Sequence, residues 1–317
     1  PMGYFLNTTD DYHRHALETL GWELTVCNCL QPQNSPCRPL LKSDGSFGKH
    51  LLEFLGHHVP LHKLRQVLEV GGGLGYLMKD FLSLTSNLQA TMLDISPVLL
   101  QKQRETLAGL PAVFLEADFL SLSTPELSCF DLAIFNENLG DFPTLVFQNT
   151  TTQDDASAAG AVQKAAYYEQ EFSLKFSHGE TINIGALEAL EKLCGAGIAY
   201  IYLSEHSCEA SLHSPYYPHR NFEASLMPEK IPLWGHNEYT IRFSHLETVA
   251  RTFRYRVLRG CYIDILPVGL NPKAKTALRA QTAANDEQEI IQQFFHDLYK
   301  YEYLLLTNEK KAQDPQR

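Results

Sequence analysis

The stretch that decides the fold reads Val67-Leu68-Glu69-Val70-Gly71-Gly72-Gly73-Leu74-Gly75-Tyr76-Leu77. An apolar run ends in three consecutive glycines, and a segment compatible with a helix follows. Glycine lets the backbone turn with positive φ and brings its N–H groups close to a bound molecule. A strand that ends at a ligand has this pattern, and so has an ordinary tight turn. The glycine spacing is one residue tighter than G-x-G-x-x-G, which disfavours a nicotinamide cofactor.

Strand and helix patterns alternate from Arg65 onward, which predicts parallel β-α-β units. The predicted strands are Gln66–Val70, Gln89–Leu93, Ala112–Glu116, Phe130–Phe135, Gly197–Ser204, and a terminal pair, Tyr255–Leu258 and Cys261–Leu266, around Gly260. The predicted helices are 8–22, 47–57, 74–84, 97–107, 182–194, 244–253 and 285–300. The expected fold class is therefore α/β, with a Rossmann-like, doubly wound sheet of seven strands.

The expected organisation has three regions. Residues 1–60 form an N-terminal helical cap, residues 61–270 a cofactor-binding sheet domain, and residues 271–317 a C-terminal helical extension. Two insertions interrupt the sheet domain. The first, near 149–168, begins with small polar residues and resembles a mobile segment. The second, 206–236, is rich in His, Tyr and Pro without periodicity, which is typical of a lid, although an excursion packed on the sheet has the same composition.

Composition excludes several classes of protein. The net charge is −11, and no run of Lys and Arg offers a path for phosphates, so we expect no nucleic-acid partner. No apolar stretch approaches the roughly 18–20 residues of a membrane span, so we expect no membrane partner. The seven cysteines do not form a disulfide-framework pattern, which favours the reducing cytoplasm. We predict no metal site, because no histidine pair has zinc-like spacing on a recognisable helix.

Candidate ligand groups follow each of the first four predicted strands. Beyond the glycines, Asp94 closes the second strand, where an acid can accept from two ribose hydroxyls. Asp118 and Phe119 follow the third strand, and offer a carboxylate for an exocyclic amine and a face for a purine. Asn136 and Glu137 follow the fourth. A single acid in such a position is usually a cap or a surface group, but successive strand ends of an open α/β sheet meet at one ligand.

These motifs resemble those of the class I S-adenosylmethionine-dependent methyltransferases over about residues 60–266. The resemblance implies a transferase that uses S-adenosylmethionine and releases S-adenosylhomocysteine. It implies that Glu69 and Gly71–Gly75 surround the methionine portion, although a strand-end acid can instead cap its loop. It also implies that Asp94 binds the ribose. The full set of implied cofactor-binding residues is Glu69, Gly71, Gly72, Gly73, Gly75, Asp94, Ile95, Asp118, Phe119 and Asn136.

A narrower resemblance is to the MidA-like methyltransferases, which include protein arginine methyltransferases acting in respiratory complex assembly. It rests on Asn136-Glu137-x-x-x-x-Phe142-Pro143 and on the later segment 238–243. The usual motif of that family is Asn-Glu-x-x-Asp-Ala-x-Pro. This chain has Gly140 in place of the aspartate and Asp141 in place of the alanine, and the departures leave the methyl acceptor open.

Methyl transfer from a sulfonium mainly requires that the nucleophile be oriented in a dry pocket. We predict that Glu137 fixes an acceptor through charge-assisted hydrogen bonds, with Asp141 as a helper. The alternative is that Glu137 caps a helix after Pro143. Three functions follow: a methyltransferase acting on a protein nitrogen or oxygen, with arginine as one acceptor; a small-molecule methyltransferase; and a cofactor-binding assembly factor without turnover.

Overall fold

The structure, a computed structural model, describes residues 3–17, 25–148, 156–213 and 221–312. Its strands are β1 (Gly3–Asn7), β2 (Gln66–Val70), β3 (Gln89–Asp94), β4 (Ala112–Glu116), β5 (Leu132–Asn136), β6 (Thr144–Gln148), β7 (Tyr200–His206), β8 (Lys230–Pro232), β9 (Asn237–Tyr239), β10 (Tyr255–Cys261) and β11 (Tyr301–Asn308). Its α-helices are α1 (Val26–Leu30), α2 (Phe47–Gly56), α3 (Tyr76–Leu84), α4 (Pro97–Thr106), α5 (Thr124–Leu127), α6 (Ala156–Phe172), α7 (Ile184–Gly195), α8 (Phe243–Thr252), α9 (Pro272–Arg279), α10 (Asp286–Lys300) and α11 (Glu309–Ala312). None of these helices combines the length and the apolar character needed to cross a membrane.

Seven strands form one sheet in the order β10-β11-β7-β5-β2-β3-β4. Strand β11 runs antiparallel to both of its neighbours, and the remaining pairs are parallel. The predicted doubly wound sheet of seven strands is confirmed. The strand order reverses between β2 and β5, so the glycine stretch after β2 lies at the switch point, where open α/β sheets bind ligands.

The central strands are buried on both faces, as expected for parallel strands covered by helices. In β2, Val67 packs with the core under α2, α3 and α10, and Leu68 packs with the core under α7 and α8. Glu69 follows Val67 on the first of these faces and is only 2% exposed. A carboxyl group therefore lies inside the protein at the end of the central strand.

The starts of α3 and α4 agree with the glycine, serine and proline residues found there in the sequence. The Ser96 hydroxyl caps α4 by accepting from the Leu99 N–H, and Pro97 occupies the first turn. Helix α3 begins after Gly75, whose φ of +82° is left-handed. Glycine adopts this conformation without the steric cost that a Cβ would bring.

The predicted strand pair around Gly260 is wrong. Residues 255–261 form the single strand β10, and Tyr262–Asp264 form a 3₁₀ turn. The partner of β10 is β11, with Gly260 opposite Tyr303. The region 271–317 is therefore not only helical, because β11 lies inside the sheet between β10 and β7. A pairing between strands so far apart in the chain leaves no local signal in the sequence.

The N-terminal region also differs from the prediction. Helix α2 confirms the predicted helix at 47–57. Of the predicted helix over 8–22, the described residues contain only a short helical turn whose π-helical part is Tyr12–Ala16, and residues 18–24 lie outside the described part of the chain. Strand β1, which precedes this turn, was not predicted. Strand β1 pairs antiparallel with β6 in a separate two-stranded sheet, with Asn7 opposite Thr144. The N-terminus is thus fixed beside the loop that follows β5.

The two predicted insertions have different outcomes. Of the first, residues 149–155 lie outside the described chain, and α6 occupies 156–172 with a buried face that includes Ala161, Ala165 and Tyr168. This helical part is packed and is not a mobile insertion. Of the second, residues 214–220 lie outside the described chain, and the remainder contains strand β8, whose partner β9 follows directly after the insertion. The lid role of 206–236 stays a prediction.

Candidate functional site

A cavity of about 280 Å³ lies beyond the carboxyl ends of the strands. Its wall includes predicted cofactor residues from three different strand ends: Gly71, Asp94, Ile95, Asp118 and Phe119. Residues 8–10 and His13 of the N-terminal segment cover the same cavity. The strand ends that the sequence singled out therefore converge on one space.

A smaller cavity of about 30 Å³ contains most of the remaining predicted residues. Its wall includes Glu69, Gly71, Gly72, Gly73, Asn136 and Glu137. Gly71 borders both cavities, so the two spaces meet at the glycine loop. Thr25, Cys27 and Asn28, at the start of α1, also border the smaller cavity. Gly75 lines neither space, because its position is the start of α3.

The glycine loop needs glycine at its first position. Gly71 has a φ of +61°, and its N–H donates to the Leu93 carbonyl at 2.8 Å. A Cβ at Gly71 would lie 2.5 Å from Nδ2 of Asn138, which donates to the Val70 carbonyl. The absence of a Cβ at Gly71 therefore lets the Asn138 side chain pack directly against the glycine loop.

Asp94 is positioned by two donors. Its Oδ1 accepts from the Ser96 N–H, and its Oδ2 accepts from Nε2 of Gln103, each at 2.9 Å. Gln103 also donates to the Gly73 carbonyl at 3.1 Å, which ties the glycine loop to this acid. Burial raises the pKa of Asp94 to about 6. Each carboxylate oxygen retains a second lone pair, so the group can still accept from a bound ligand.

Glu69 and Glu137 are buried acids with unpaired oxygens. Burial raises the pKa of each to about 8, helped at Glu69 by the charge of Asp94 and at Glu137 by that of Glu205. Among the described residues, Oε2 of Glu69 and Oε2 of Glu137 have no hydrogen-bond partner. Buried unpaired carboxyl oxygens are costly, and a ligand with N–H donors or positive charge would satisfy them.

The two alternatives for these acids are not supported. Oε2 of Glu69 has no hydrogen-bond partner among the described residues, and the raised pKa of this acid comes from burial and from the charge of Asp94, with no contribution from a capping hydrogen bond. No helix begins after Pro143, because this proline leads directly into strand β6. Glu137 therefore does not cap a helix there.

The backbone at Glu137 is held in an unusual conformation. Its φ is +57°, and its N–H donates to the Ser204 carbonyl at 3.0 Å. The Tyr262 hydroxyl lies 3.3 Å from Oε1 of Glu137, 3.1 Å from Oδ1 of Asn136 and 2.9 Å from Oγ of Ser204. A left-handed conformation at a residue other than glycine costs on the order of 1–3 kcal/mol and is typical of functional sites.

After the third predicted strand, β4, come the polar residue Asp118 and the core residue Phe119. Oδ1 of Asp118 accepts from the Leu120 N–H at 2.9 Å and so caps the turn Phe119–Ser121. Phe119 is buried, with its ring edge-on to Phe135 at a centroid distance of 4.9 Å. Both residues border the larger cavity.

Asp141, the predicted helper of Glu137, lies apart from it in the structure. The two acids border different cavities. Oδ1 of Asp141 lies 2.8 Å from Nε2 of His13. Burial acts to lower the pKa of His13. The charge of the Asp141 carboxylate and its hydrogen bond to the ring act in the opposite direction and outweigh burial, so the pKa of His13 is raised. A partner from the N-terminal turn therefore holds Asp141.

Asn138 and His13 line the larger cavity and were not singled out from the sequence. Asn138 follows Asn136 and Glu137 after the fourth strand, and its buried Oδ1 has no partner among the described residues. A third acceptor group at the fourth strand end could have been noticed. His13 lies far from the glycine loop in the sequence and reaches the cavity through the β1–β6 pairing, which no local pattern reveals.

Comparison with known proteins adds a family match. Residues 67–151 match the family described as a methyltransferase domain. A search of curated proteins finds no significant match. An uncharacterized protein from Burkholderia thailandensis is 13% identical over 96% of this chain and 87% of that chain, with a TM-score of 0.50. A likely methyl transferase from the same organism, bound to S-adenosyl-homocysteine, is 13% identical over 82% of this chain and 76% of that chain, with a TM-score of 0.48. A SAM-dependent methyltransferase from Leishmania major is 13% identical over 94% of this chain and 81% of that chain, with a TM-score of 0.44.

The family match spans β2 to β6 and so includes the glycine loop and the strand ends that border the two cavities. With the strand order of the sheet, these features define a class I S-adenosylmethionine-dependent methyltransferase. The chain is thus an enzyme with S-adenosylmethionine as its cofactor. The unpaired acceptor oxygens of Glu69 and Asn138 fit such a cationic, donor-rich molecule. The narrower resemblance to the MidA-like family stays a prediction.

Proposed function

We propose that the enzyme methylates a nitrogen atom of a cationic acceptor held by Glu137, and that the acceptor is a protein arginine. The observation that carries this proposal is the unpaired, buried Oε2 of Glu137 in the smaller cavity, beside the glycine loop. When bound, S-adenosylmethionine supplies an activated methyl group. Because the leaving group needs no activation, the residues of the protein need only bind and orient the two reactants.

The two cavities support an assignment of the cofactor portions. Glu69, Asn136 and Gly71–Gly73 border the smaller cavity and would hold the methionine portion. In the larger cavity, Asp94 and Ile95 would bind the ribose, and Asp118 and Phe119 would bind the adenine. In this assignment, Glu137 would lie at the methionine end of the cofactor, beside the methyl group, because it borders the smaller cavity.

The charge around Glu137 favours a cationic nitrogen over a neutral hydroxyl. Burial and the nearby Glu205 and Asp297 carboxylates all act to keep Glu137 protonated. A guanidinium would reverse this, because an opposite charge within a few ångströms favours the ionised carboxylate. Its planar N–H groups also match the two oxygens of a carboxylate, which a primary ammonium cannot do as well.

The roles of the surrounding residues follow from their contacts. Glu137 would accept hydrogen bonds from the N–H groups of the acceptor and so direct its nitrogen. Tyr262, in contact with Oε1, would hold the carboxyl group in this orientation. After transfer, the nitrogen carries one proton too many, and Glu137 is the carboxylate that can take it. The buried position of Glu137 excludes water from these steps.

Replacement of Glu137 with Gln tests this role. We expect kcat to fall about 30-fold, since a hydrogen bond to a charged group is worth roughly 1.5–3 kcal/mol. The affinity for S-adenosylhomocysteine should change less than about three-fold, because the isosteric side chain leaves the cavity wall intact. The measurement is transfer of a labelled methyl group to arginine-containing peptides and, in parallel, to a panel of small amines.

The matched control is Glu116→Gln, at the exposed end of β4, where the acid borders neither cavity. This variant should keep the wild-type rate. An unchanged kcat in Glu137→Gln would reject the proposed role of the acid. Methylation of small amines without any peptide would reject the protein arginine and keep the nitrogen acceptor. Cofactor binding without transfer to any acceptor would favour an assembly factor without turnover.

A further inference from the structure

Three remote segments bring two histidines and two acids together beside the larger cavity. His13 belongs to the N-terminal turn, Asp141 to the turn after β5, and His236 and Glu238 to the β8–β9 pair and its loop. Their side chains are largely buried, with exposures of 7% for His13, 18% for Asp141, 8% for His236 and 21% for Glu238. The mechanism proposed above uses none of these four groups.

Three of the four residues, His13, Asp141 and His236, bring their ligand atoms close to one another, and Glu238 contacts His236. Oδ1 of Asp141 lies 2.8 Å from Nε2 of His13 and 3.7 Å from Nε2 of His236. The same nitrogen of His236 lies 3.0 Å from Oε1 of Glu238. One ligand atom from each of His13, Asp141 and His236 lies within 4.8 Å of the others. In a tetrahedral site with bonds of about 2.0–2.2 Å, neighbouring ligand atoms are about 3.3–3.6 Å apart, so only small shifts separate this cluster from coordination geometry.

The cluster also has the charge that a cation requires. Oδ1 of Asp141 and Oε1 of Glu238 both lie close to Nε2 of His236, at 3.7 Å and 3.0 Å. A bound cation stabilises two carboxylates that are this close together. The ring of His236 stacks on Tyr12 at a centroid distance of 4.1 Å, which fixes its plane. This close approach requires glycine at 235, where a Cβ would lie 2.8 Å from the Tyr12 ring.

We propose that His13, Asp141, His236 and Glu238 form a binding site for one divalent transition-metal ion of the zinc type. Two imidazoles and two carboxylates suit Zn²⁺, whereas Mg²⁺ prefers oxygen ligands and retains water. The ion would link the N-terminal turn and the β8–β9 pair to the loop after β5. Because His13 and Asp141 border the larger cavity, this link would hold the N-terminal segment over the space assigned to the adenosyl group.

The test uses the full chain, free of any affinity tag, after removal of metals with a chelator. Titration with Zn²⁺ in a calorimeter should give one ion per chain with a Kd below about 1 µM. Elemental analysis after dialysis should find one equivalent of zinc. Zn²⁺ should also raise the melting temperature. Mg²⁺ at the same concentration should neither bind at this site nor raise the melting temperature.

The informative variants are His236→Ala and Asp141→Asn. Each should weaken Zn²⁺ binding at least about 30-fold, because each removes a ligand or its charge. The control His245→Ala changes a histidine that packs on Phe176, outside the cluster, and should bind Zn²⁺ as the wild type does. Circular dichroism identifies any variant that fails to fold. If His236→Ala does not fold, the test depends on Asp141→Asn, which is nearly isosteric with the wild type. Absence of 1:1 binding by the wild type, or equal affinities in Asp141→Asn and the control, overturns the proposal.

Discussion

Replacement of Gly71 with Ala is expected to lower the affinity for S-adenosylhomocysteine at least about 100-fold, which corresponds to roughly 2.7 kcal/mol. The new Cβ would lie 2.5 Å from Nδ2 of Asn138 and would displace this side chain, which borders the larger cavity. The loop would lose both its close approach to the ligand and the position of Asn138. Calorimetry with S-adenosylhomocysteine measures the effect directly.

The matched control for this variant is Gly109→Ala. Gly109 has a similar left-handed φ of +80°, but a Cβ there would meet no atom within 4 Å. Both variants therefore carry the backbone strain of about 1–2 kcal/mol, and only Gly71→Ala obstructs the cavities. We expect both proteins to melt at lower temperature than the wild type and only Gly71→Ala to lose affinity. A folded Gly71→Ala protein with wild-type affinity would mean that the ligand does not approach the glycine loop.

The parallel half of the sheet could be predicted from sequence because its signals are local. Strand β2 was predicted at its observed bounds, since a run of apolar residues ends at three glycines. Strand β11 could not be recognised, although its residues are apolar, because its partners β10 and β7 are set by long-range pairing. The same reason explains the missed strand β1, whose partner is β6. Local patterns identify a strand, but its neighbours are decided by the fold.

The residues of the candidate site also divide into those that local sequence patterns predict and those that depend on long-range contacts. Asp94, Asp118 and Glu137 were predictable because each lies at or just after the end of a strand, and the carboxyl ends of parallel strands meet at one edge. The partner of Asp141 was not predictable, because His13 reaches it from the N-terminal turn. Glu137 was assigned to orienting an acceptor from its position alone. Its left-handed backbone and its contact with Tyr262 are tertiary features that no motif contains.

A second large effect concerns pH. We expect the ligand-free protein to lose stability as the pH rises from 6 to 9, in part through Glu69 and Glu137. Burial raises the pKa of both carboxyl groups to about 8, from about 4.5 in an unfolded chain. Between these values the folded state binds more protons than the unfolded state, so its stability falls with increasing pH. The contribution is complete below about pH 4.5 and is lost as the pH passes 8; the part lost between pH 6 and 9 is on the order of 2–3 kcal/mol for each group.

The double variant Glu69→Gln, Glu137→Gln isolates this contribution from those of other buried acids. Glutamine resembles the protonated acid, so the variant should fold at pH 6 and melt several degrees above the wild type at pH 9. Glu116→Gln, at an exposed strand end, should follow the wild type across the range. Saturating S-adenosylhomocysteine should reduce the decline in the wild type, because its ammonium group favours the ionised carboxylates and binding then releases protons. Equal slopes of melting temperature against pH in the wild type and the double variant would mean that these carboxyl groups are already ionised in the folded enzyme, and the argument that they await a cationic ligand would fail with them.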